Sequence, residues 1–309
     1  MKTLLVIVGP TGVGKTELSL RAAEHYGCAI LNADSRQIYR DLPIGTAAPT
    51  KDDRQRVKHY FVGTHELDET YNAGQFERDC VEVISGQLSD VSGQSSVVSI
   101  LSGGSMMYID AVCKGLDDIP DVPSKIREDV QAMYRAGGLE ALQEAVQQLD
   151  SDYWNEVDQH NPQRLMHCIE VCRVSGQPYS SFRRKKVVER PFRIVKIGLE
   201  RSRDELYHRI DTRVDEMMQA GLLEEARRAY VRFKDSLPNS LNTVGYKELI
   251  AYFKGQTDLD EAIRLIKQNS RHYAKRQMTW FRQDKDIHWL DATISYEEQI
   301  RYMDACLNG

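Results

Sequence analysis

Near the start of the chain lies a stretch that leaves few options for the fold: Leu4-Leu5-Val6-Ile7-Val8-Gly9-Pro10-Thr11-Gly12-Val13-Gly14-Lys15-Thr16. The apolar run reads as a buried strand, and Gly9, Gly14, Lys15 and Thr16 complete the spacing G-x-x-x-x-G-K-[ST] of a P-loop. Leu18 and Ala22 carry helical apolar spacing onward to Tyr26, so the context is strand, glycine turn, helix. Such a turn binds phosphate because its backbone N–H groups converge on the anion at a helix N-terminus, where the dipole also favours negative charge. Lys15 adds a full positive charge, and the Thr16 hydroxyl is a ligand for Mg²⁺. The run Gly9, Pro10, Thr11, Gly12, Val13, Gly14, Lys15, Thr16 is therefore the candidate polyphosphate cradle. A glycine turn without a ligand is the bland alternative, and the strand before and helix after count against it. The motif does not choose among polyphosphates, so ATP binding stays open.

The rest of the chain extends an α/β pattern. Gly27 to Asn32 reads as a second strand, ending at Asp34-Ser35-Arg36-Gln37-Ile38-Tyr39-Arg40. A carboxylate just past a strand of such a sheet lies at its carboxyl edge, where ligands bind, and so would face the P-loop. The competing reading makes Asp34 a helix N-cap. Val57 to Val62 reads as a short strand. Residues 72–90 read as an amphipathic helix with Phe76, Cys80, Val83, Ile84 and Leu88 inside. Ser96 to Leu101 is a third strand that runs into Ser102-Gly103-Gly104-Ser105 and a helix, a second anion-friendly junction. No acidic residue closes that strand, so the second Mg²⁺ carboxylate usual in a P-loop ATPase is missing.

From Ile119 strand signals vanish until about residue 192. Helical patterns cover Ile126–Arg135, Leu139–Leu149 and Pro162–Val174, the last closed by Gly176-Gln177-Pro178. Phe192 to Leu199 returns to strand alternation and is expected to rejoin the sheet. Helices follow over Arg203–Met218, from Leu222, from Gly245 and over 258 to about 282, then a late strand at Ile287–Asp291. The expected organisation is an α/β core over 1–119 and 188–309, with a helical insertion over 120–187.

The net charge of −5 argues, on its face, against a nucleic-acid partner. Local patches set the field that a phosphate backbone meets, however. Arg183-Arg184-Lys185-Lys186 forms one basic run, and Arg271, His272, Lys275, Arg276 and Arg282 form another, interleaved with Tyr273, Trp280 and Phe281. The apolar runs are too short for a membrane span. Lys2 and Thr3 lead straight into the first strand, so no cleavable signal is expected. The six cysteines form no C-x-x-C pair, so buried free thiols in a reducing cytoplasm are expected rather than zinc, with Cys168 and Cys172 one helical turn apart.

In order and spacing these segments resemble the tRNA dimethylallyltransferases, also called tRNA isopentenyltransferases. The carrying residues are Gly9 to Thr16, Asp34 to Arg40, Ile44-Gly45-Thr46-Ala47, Asn161-Pro162-Gln163-Arg164-Leu165, Arg209-Ile210-Asp211-Thr212-Arg213-Val214, Gly245-Tyr246-Lys247-Glu248 and Ala274 to Arg282. The resemblance implies a P-loop NTPase-like parallel-sheet core with a helical insertion and a helical C-terminal part. It implies transfer of a dimethylallyl group from its diphosphate to N6 of adenosine 37, in tRNAs reading codons that begin with U. It further implies Mg²⁺ and the tRNA anticodon stem-loop as partner; no membrane, a cytoplasmic setting and a monomer are the accompanying expectations. The bacterial type is expected, because no Cys/His zinc extension follows. One departure stands out: the family shows Gly-Gly-Thr-Gly-Leu-Tyr where this chain has Gly103-Gly104-Ser105-Met106-Met107-Tyr108. Ser105 keeps the hydroxyl, so a catalytic contact to the diphosphate or the base survives, and the methionines change the packing beside it.

The chemistry fits the same residues. Charge that develops on a departing diphosphate needs fixed donors, which the P-loop amides, Lys15 and a Mg²⁺ near Thr16 can supply. Arg213 matches a family arginine that reaches the diphosphate. The exocyclic amine is a poor nucleophile that must lose a proton, and Asp34 is the candidate base. A base in an anticodon loop is already unpaired, which lowers the cost of extruding it. Ser35, Arg36, Gln37 and Ser105 would read it. Arg127, Gln163, Arg164, the Arg183 run, Gly245, Tyr246, Lys247, Lys275, Arg276, Gln277 and Arg282 would contact the RNA, with Trp280 available for stacking. The bland readings are core packing for Trp280 and Phe281 and a solvated face for the charges. The rivals are an adenylate isopentenyltransferase acting on free AMP, ADP or ATP, a P-loop kinase, and a non-catalytic RNA-binding module.

Overall fold

The computed structural model describes residues 2–86, 97–183 and 188–308. Leu88, Ser96 and the Arg184–Lys186 part of the first basic run lie outside the described residues. Among them the chain forms two compact units, Met1–Cys113 with Arg190–Gly309, and Lys114–Glu189.

The first unit is built on a parallel sheet of order β3-β2-β4-β1-β5-β6. The strands are β1 (Thr3–Val8), β2 (Ile30–Ala33), β3 (His59–Tyr60), β4 (Val98–Gly103), β5 (Arg193–Glu200) and β6 (Ile287–Asp291). β1 lies at the centre because its apolar run can be buried on both faces, as interior parallel strands require. Leu5 and Ile7 enter one apolar cluster, with Leu18 and Leu20 of α1 (Lys15–Tyr26) and Met303 of α12 (Tyr296–Asn308). Leu4, Val6 and Val8 enter the other, with Phe76, Cys80 and Ile84 of α3 (Ala73–Ser85) and Ile109 and Val112 of α4 (Met106–Lys114). The period-two alternation of one strand thus divides the core into two layers. β5 pairs with β1 on one edge and β6 on the other, so the strand that follows the helical segment does rejoin the sheet. β3 is reduced to two residues at the sheet edge, shorter than its apolar pattern suggested.

A third cluster packs the C-terminal helices α9 (Leu222–Phe233), α10 (Tyr246–Phe253) and α11 (Leu259–Phe281) around Ile38, Leu42 and Leu67. The pattern over 258–282 is one continuous helix. α8 (Arg203–Gln219) joins this cluster through Val214. The short α2 (Lys51–Arg56) opens with a capping box between Thr50 and Asp53.

The second unit contains α5 (Ser124–Leu149), α6 (Ser151–Glu156) and α7 (Pro162–Ser175). The two helical patterns at its start fuse into α5, kinked at Gly138, whose φ of 64° is accessible to glycine at little cost. α7 opens with the Asn161 side chain accepting from the Arg164 N–H and Pro162 in the first turn, and stops at Gly176 in the left-handed region. Its apolar residues pack with Val130, Leu142 and Val146. Among the described residues no helix is long and apolar enough to cross a membrane.

Candidate active site

The P-loop connects the carboxyl end of β1 to α1. Gly14, at the N-cap, has φ 119° and no side chain caps the helix, so the first-turn N–H groups of α1 are left without an intrahelical acceptor. The outer side of the loop is held by cations: Arg209 Nε donates to the Gly12 carbonyl at 2.9 Å and Arg201 Nε to the Val13 carbonyl at 2.8 Å. Arg213 Nη1 lies 3.3 Å from Thr11 Oγ1. Lys15 Nζ donates to the carbonyls of Gly9 and Pro10, each at 2.9 Å. One loop amide is already committed, since Thr11 N–H donates to Gln277 Oε1 at 2.9 Å.

Two enclosed cations stand together here. Burial, with the neighbouring Arg213 guanidinium, lowers the Lys15 pKa from 10.5 to about 7, against an opposing pull from Asp34. Burial also depresses Arg213, again opposed by Asp34. Both shifts describe positive charge held in a poorly solvated place, which is where an anionic ligand gains most.

The second glycine junction stands beside the first, because β4 is the direct neighbour of β1. Ser19 Oγ of α1 donates to Ser102 Oγ at the end of β4, at 2.7 Å. Gly103 pairs with Ala33 so closely that a Cβ would strike the Ala33 carbonyl. Ser105 then ties the junction to β2: its N–H donates to the Ala33 carbonyl at 3.0 Å and its Oγ accepts from the Ser35 N–H at 2.8 Å. Met107 is exposed and Met106 only partly buried, so the methionine departure adds bulk without disturbing this contact.

Asp34 follows β2 directly and heads a turn rather than a helix, which corrects the helix N-cap alternative. Its Oδ1 accepts from the N–H groups of Arg36 at 2.9 Å and Gln37 at 3.3 Å, an anchoring that fixes the carboxylate in place. Gln37 Nε2 donates to the carbonyls of Thr46 and Ala47, pinning the Ile44–Ala47 turn. The other side of that turn rests on Glu225, a buried carboxylate that accepts from the N–H groups of Ile44 at 2.9 Å and Gly45 at 2.8 Å.

Two cavities result, and they meet at Asp34. The first, of about 620 Å³, is lined by Thr11, Gly12, Gly14, Lys15, Thr16, Asp34, Gln37, Arg213, Tyr273 and Gln277. The second, of about 360 Å³, shares Thr11, Asp34, Thr46, Arg213 and Tyr273 with it. The second adds Ser35, Arg36, Gly245, Lys247 and Arg276, with Ile210, Val214, Met217 and Leu222 as an apolar wall. The P-loop and Asp34 therefore face one space.

Not every candidate residue reaches it. Tyr246 is wholly buried, and its hydroxyl donates to Glu225 at 2.6 Å; it is a core residue rather than an RNA contact. Gln277 does line the first cavity but is buried, donating from Nε2 to the Gly104 carbonyl at 2.8 Å while its Oε1 holds Thr11, so it joins the two glycine junctions. Lys275 and Arg282 are exposed and line neither cavity. Phe281 belongs to the core, whereas Trp280 is 39% exposed with Nε1 donating to Asp110 at 2.9 Å. In the helical unit, Gln163 and Arg164 are exposed in the first turn of α7 and Arg127 is half-buried in α5. Arg183 pairs with Glu156 at 2.9 Å and lies over the Tyr153 ring.

Arg209, Tyr273 and Glu225 are site-shaping residues that the sequence did not single out. Arg209 and Tyr273 lay inside matched or basic stretches without a motif role, and Glu225 sits in a helix that reads as merely amphipathic. Tyr273 lines both cavities and its hydroxyl donates to the Gly104 carbonyl at 3.3 Å.

Comparison with known proteins agrees with this geometry. The family described as IPP transferase matches residues 37–284. The tRNA dimethylallyltransferase 2 of Parabacteroides distasonis is 53% identical over 289 residues, 94% of each chain. The tRNA dimethylallyltransferase 1 of Bacteroides fragilis is 50% identical over 306 residues, 99% of each. The crystal structure of the full-length tRNA isopentenylpyrophosphate transferase from Bacillus halodurans superposes with a TM-score of 0.71 at 31% identity, covering 100% of this chain and 96% of that one. A eukaryotic dimethylallyltransferase acting on tRNA shares the fold alone, with a TM-score of 0.81 at 23% identity over 100% of this chain and 80% of its own. A P-loop facing a turn-anchored carboxylate, on this sheet and with these relatives, places the chain in the tRNA dimethylallyltransferase (IPP transferase) family.

Proposed function

We propose that this chain transfers a dimethylallyl group from dimethylallyl diphosphate to N6 of the adenosine at position 37, beside the anticodon, in tRNAs that read codons beginning with U. The observation that carries the reading is the meeting of two cavities at Asp34, one floored by the P-loop and the other edged by Arg36, Lys247 and Arg276. The diphosphate fits the first, against the α1 N-terminus, Lys15 and Arg213. The RNA-borne base fits the second, where cations suit its phosphates and Arg36 is within reach of its edges.

In the reaction N6 bonds to C1 of the donor, the C1–O bond breaks, and the diphosphate leaves with the bonding pair. The N6 proton passes to the Asp34 carboxylate, whose orientation is set by the Arg36 and Gln37 amides. Lys15 and Arg213 stabilise the departing charge. Mg²⁺ suits the all-oxygen donors available, the Thr16 hydroxyl together with diphosphate oxygens and water, and Thr16 lines the first cavity. The ion would supply charge neutralisation of the leaving group. β4 ends in Ser102-Gly103, followed by Gly104, with no carboxylate, which argues against kinase or ATPase chemistry at the same cradle. The chain is read as a cytoplasmic enzyme working as a single copy.

The deciding experiment offers labelled dimethylallyl diphosphate with either tRNA or AMP. Label is expected in tRNA, at the adenosine beside the anticodon, and not in AMP. Label in AMP alone would overturn the reading.

A further inference from the structure

Cys168 and Cys172 take no part in the chemistry above. They stand on successive turns of α7, both buried, within the apolar cluster of the helical unit. Asp150 is buried beside them, only 3% exposed. Two sulfurs and one carboxylate oxygen lie within 4.8 Å of one another, and among the described residues no other group of three such side chains is assembled in this way.

We propose that Cys168, Cys172 and Asp150 form a binding site for a thiophilic cation of the zinc, cadmium or cuprous class. Bound there, the cation fastens α7 to the start of α6.

The donor count favours this. Asp150 Oδ1 accepts from the Tyr153 N–H at 3.0 Å and the Ser180 hydroxyl at 2.8 Å, while Oδ2 accepts from the Ser180 N–H at 2.6 Å. A carboxylate has about four lone-pair sites, so one remains on Oδ2 in a place water does not reach. Two thiolates on a tetrahedral zinc at about 2.3 Å stand about 3.8 Å apart, a separation inside the 4.8 Å that encloses the three ligand atoms. A disulfide fits poorly. Cβ atoms four residues apart on a helix are about 5–6 Å from each other, and a disulfide needs about 3.5–4.5 Å. Two thiolates and a carboxylate against a divalent ion leave a single negative charge, and the Arg183 guanidinium, itself paired with Glu156, lies over the Tyr153 and Tyr179 rings. Binding releases the thiol protons to solvent.

The test uses the reduced full chain and metal alone. Titration with Co²⁺ is expected to give a thiolate-to-cobalt charge-transfer band that saturates at one equivalent and is bleached by Zn²⁺. Zinc should raise the melting temperature of the unaltered chain. The Cys168→Ala and Cys172→Ala variants should each lose the stoichiometric band, although Cys28, Cys80, Cys113 and Cys306 remain. X-ray absorption of the zinc-loaded unaltered chain should show two sulfur neighbours, and this readout stands even if the variants do not fold. A spectrum with only oxygen and nitrogen neighbours overturns the site. So does a band that survives in the double variant, or a Cys168–Cys172 disulfide formed under mild oxidant in a chain that takes up no metal.

Discussion

Lys15 carries the most informative charge in the molecule. Its pKa falls from 10.5 in the unfolded chain to about 7 in the fold, chiefly through burial. Between those values the unfolded chain holds a proton that the folded chain lacks, so this residue makes stability rise as pH increases across that window. Below it both states are protonated, and the burial of the charge counts against folding. An anion in the cradle reverses the preference by favouring the charged lysine. Diphosphate binding at pH 8 is therefore expected to take up about one proton, measured by calorimetry in buffers of different ionisation enthalpy. Equal heats in all buffers would remove Lys15 from the anion contact. Asp34 is tested through turnover: Asp34→Ala should reduce it by roughly two to four orders of magnitude, the span of general-base catalysis, with tRNA affinity little changed. Survival of turnover would mean that the carboxylate is not the base.

At the scale of the element, α11 links the two halves of the site. Gln277 holds the P-loop amide of Thr11 and the carbonyl of Gly104, and Arg276, its neighbour in the chain, lines the other cavity. Gln277→Ala would leave the Thr11 N–H without its partner and the Gly104 carbonyl with the Tyr273 hydroxyl alone, costing about 1–3 kcal/mol if water cannot reach the freed amide. It should lower thermal stability and raise KM for dimethylallyl diphosphate more than KM for tRNA; equal rises would mark a general packing defect. Arg276→Ala should weaken binding to every tRNA and reduce the slope of log K against log salt by about 1, while an unchanged slope would take this helix out of the interface. The sequence showed α11 as a basic, aromatic helix but could not phase it. Lys275, Arg276 and Gln277 are consecutive, yet they are respectively exposed away from the cavities, at a cavity rim and buried. Helix rotation is set by where Ala274 and Phe281 pack, and that is a property of the neighbours.

For the whole molecule, a net charge of −5 coexists with a site where Arg36, Lys247 and Arg276 line the second cavity and the enclosed Lys15 and Arg213 stand with Asp34, Glu17 and Glu216 in the first. Affinity for tRNA should therefore fall steeply as salt rises, as expected when cations replace counterions on phosphates. A salt-independent affinity would show that local charge does not drive the association.

The fold was legible at long, strongly patterned stretches. The apolar run of β1, the glycines that follow it and the return to strand pattern after the helical segment all identify themselves locally, because burial on both faces and positive φ restrict residue type. Less was legible where the pattern is short: β3 was read as longer than its two residues, and the six-residue α2 and α6 carry too few periods to read. By itself the sequence determined a P-loop turn and a carboxylate at a strand end, since both are encoded within a few consecutive residues. Only tertiary packing decided that Gln277 faces inward to staple that cradle, that Tyr246 and Glu225 hold the turn opposite, and that Asp150 lies against Cys168 and Cys172. Those contacts join residues far apart in the chain, and no local pattern records which distant surface a side chain will meet.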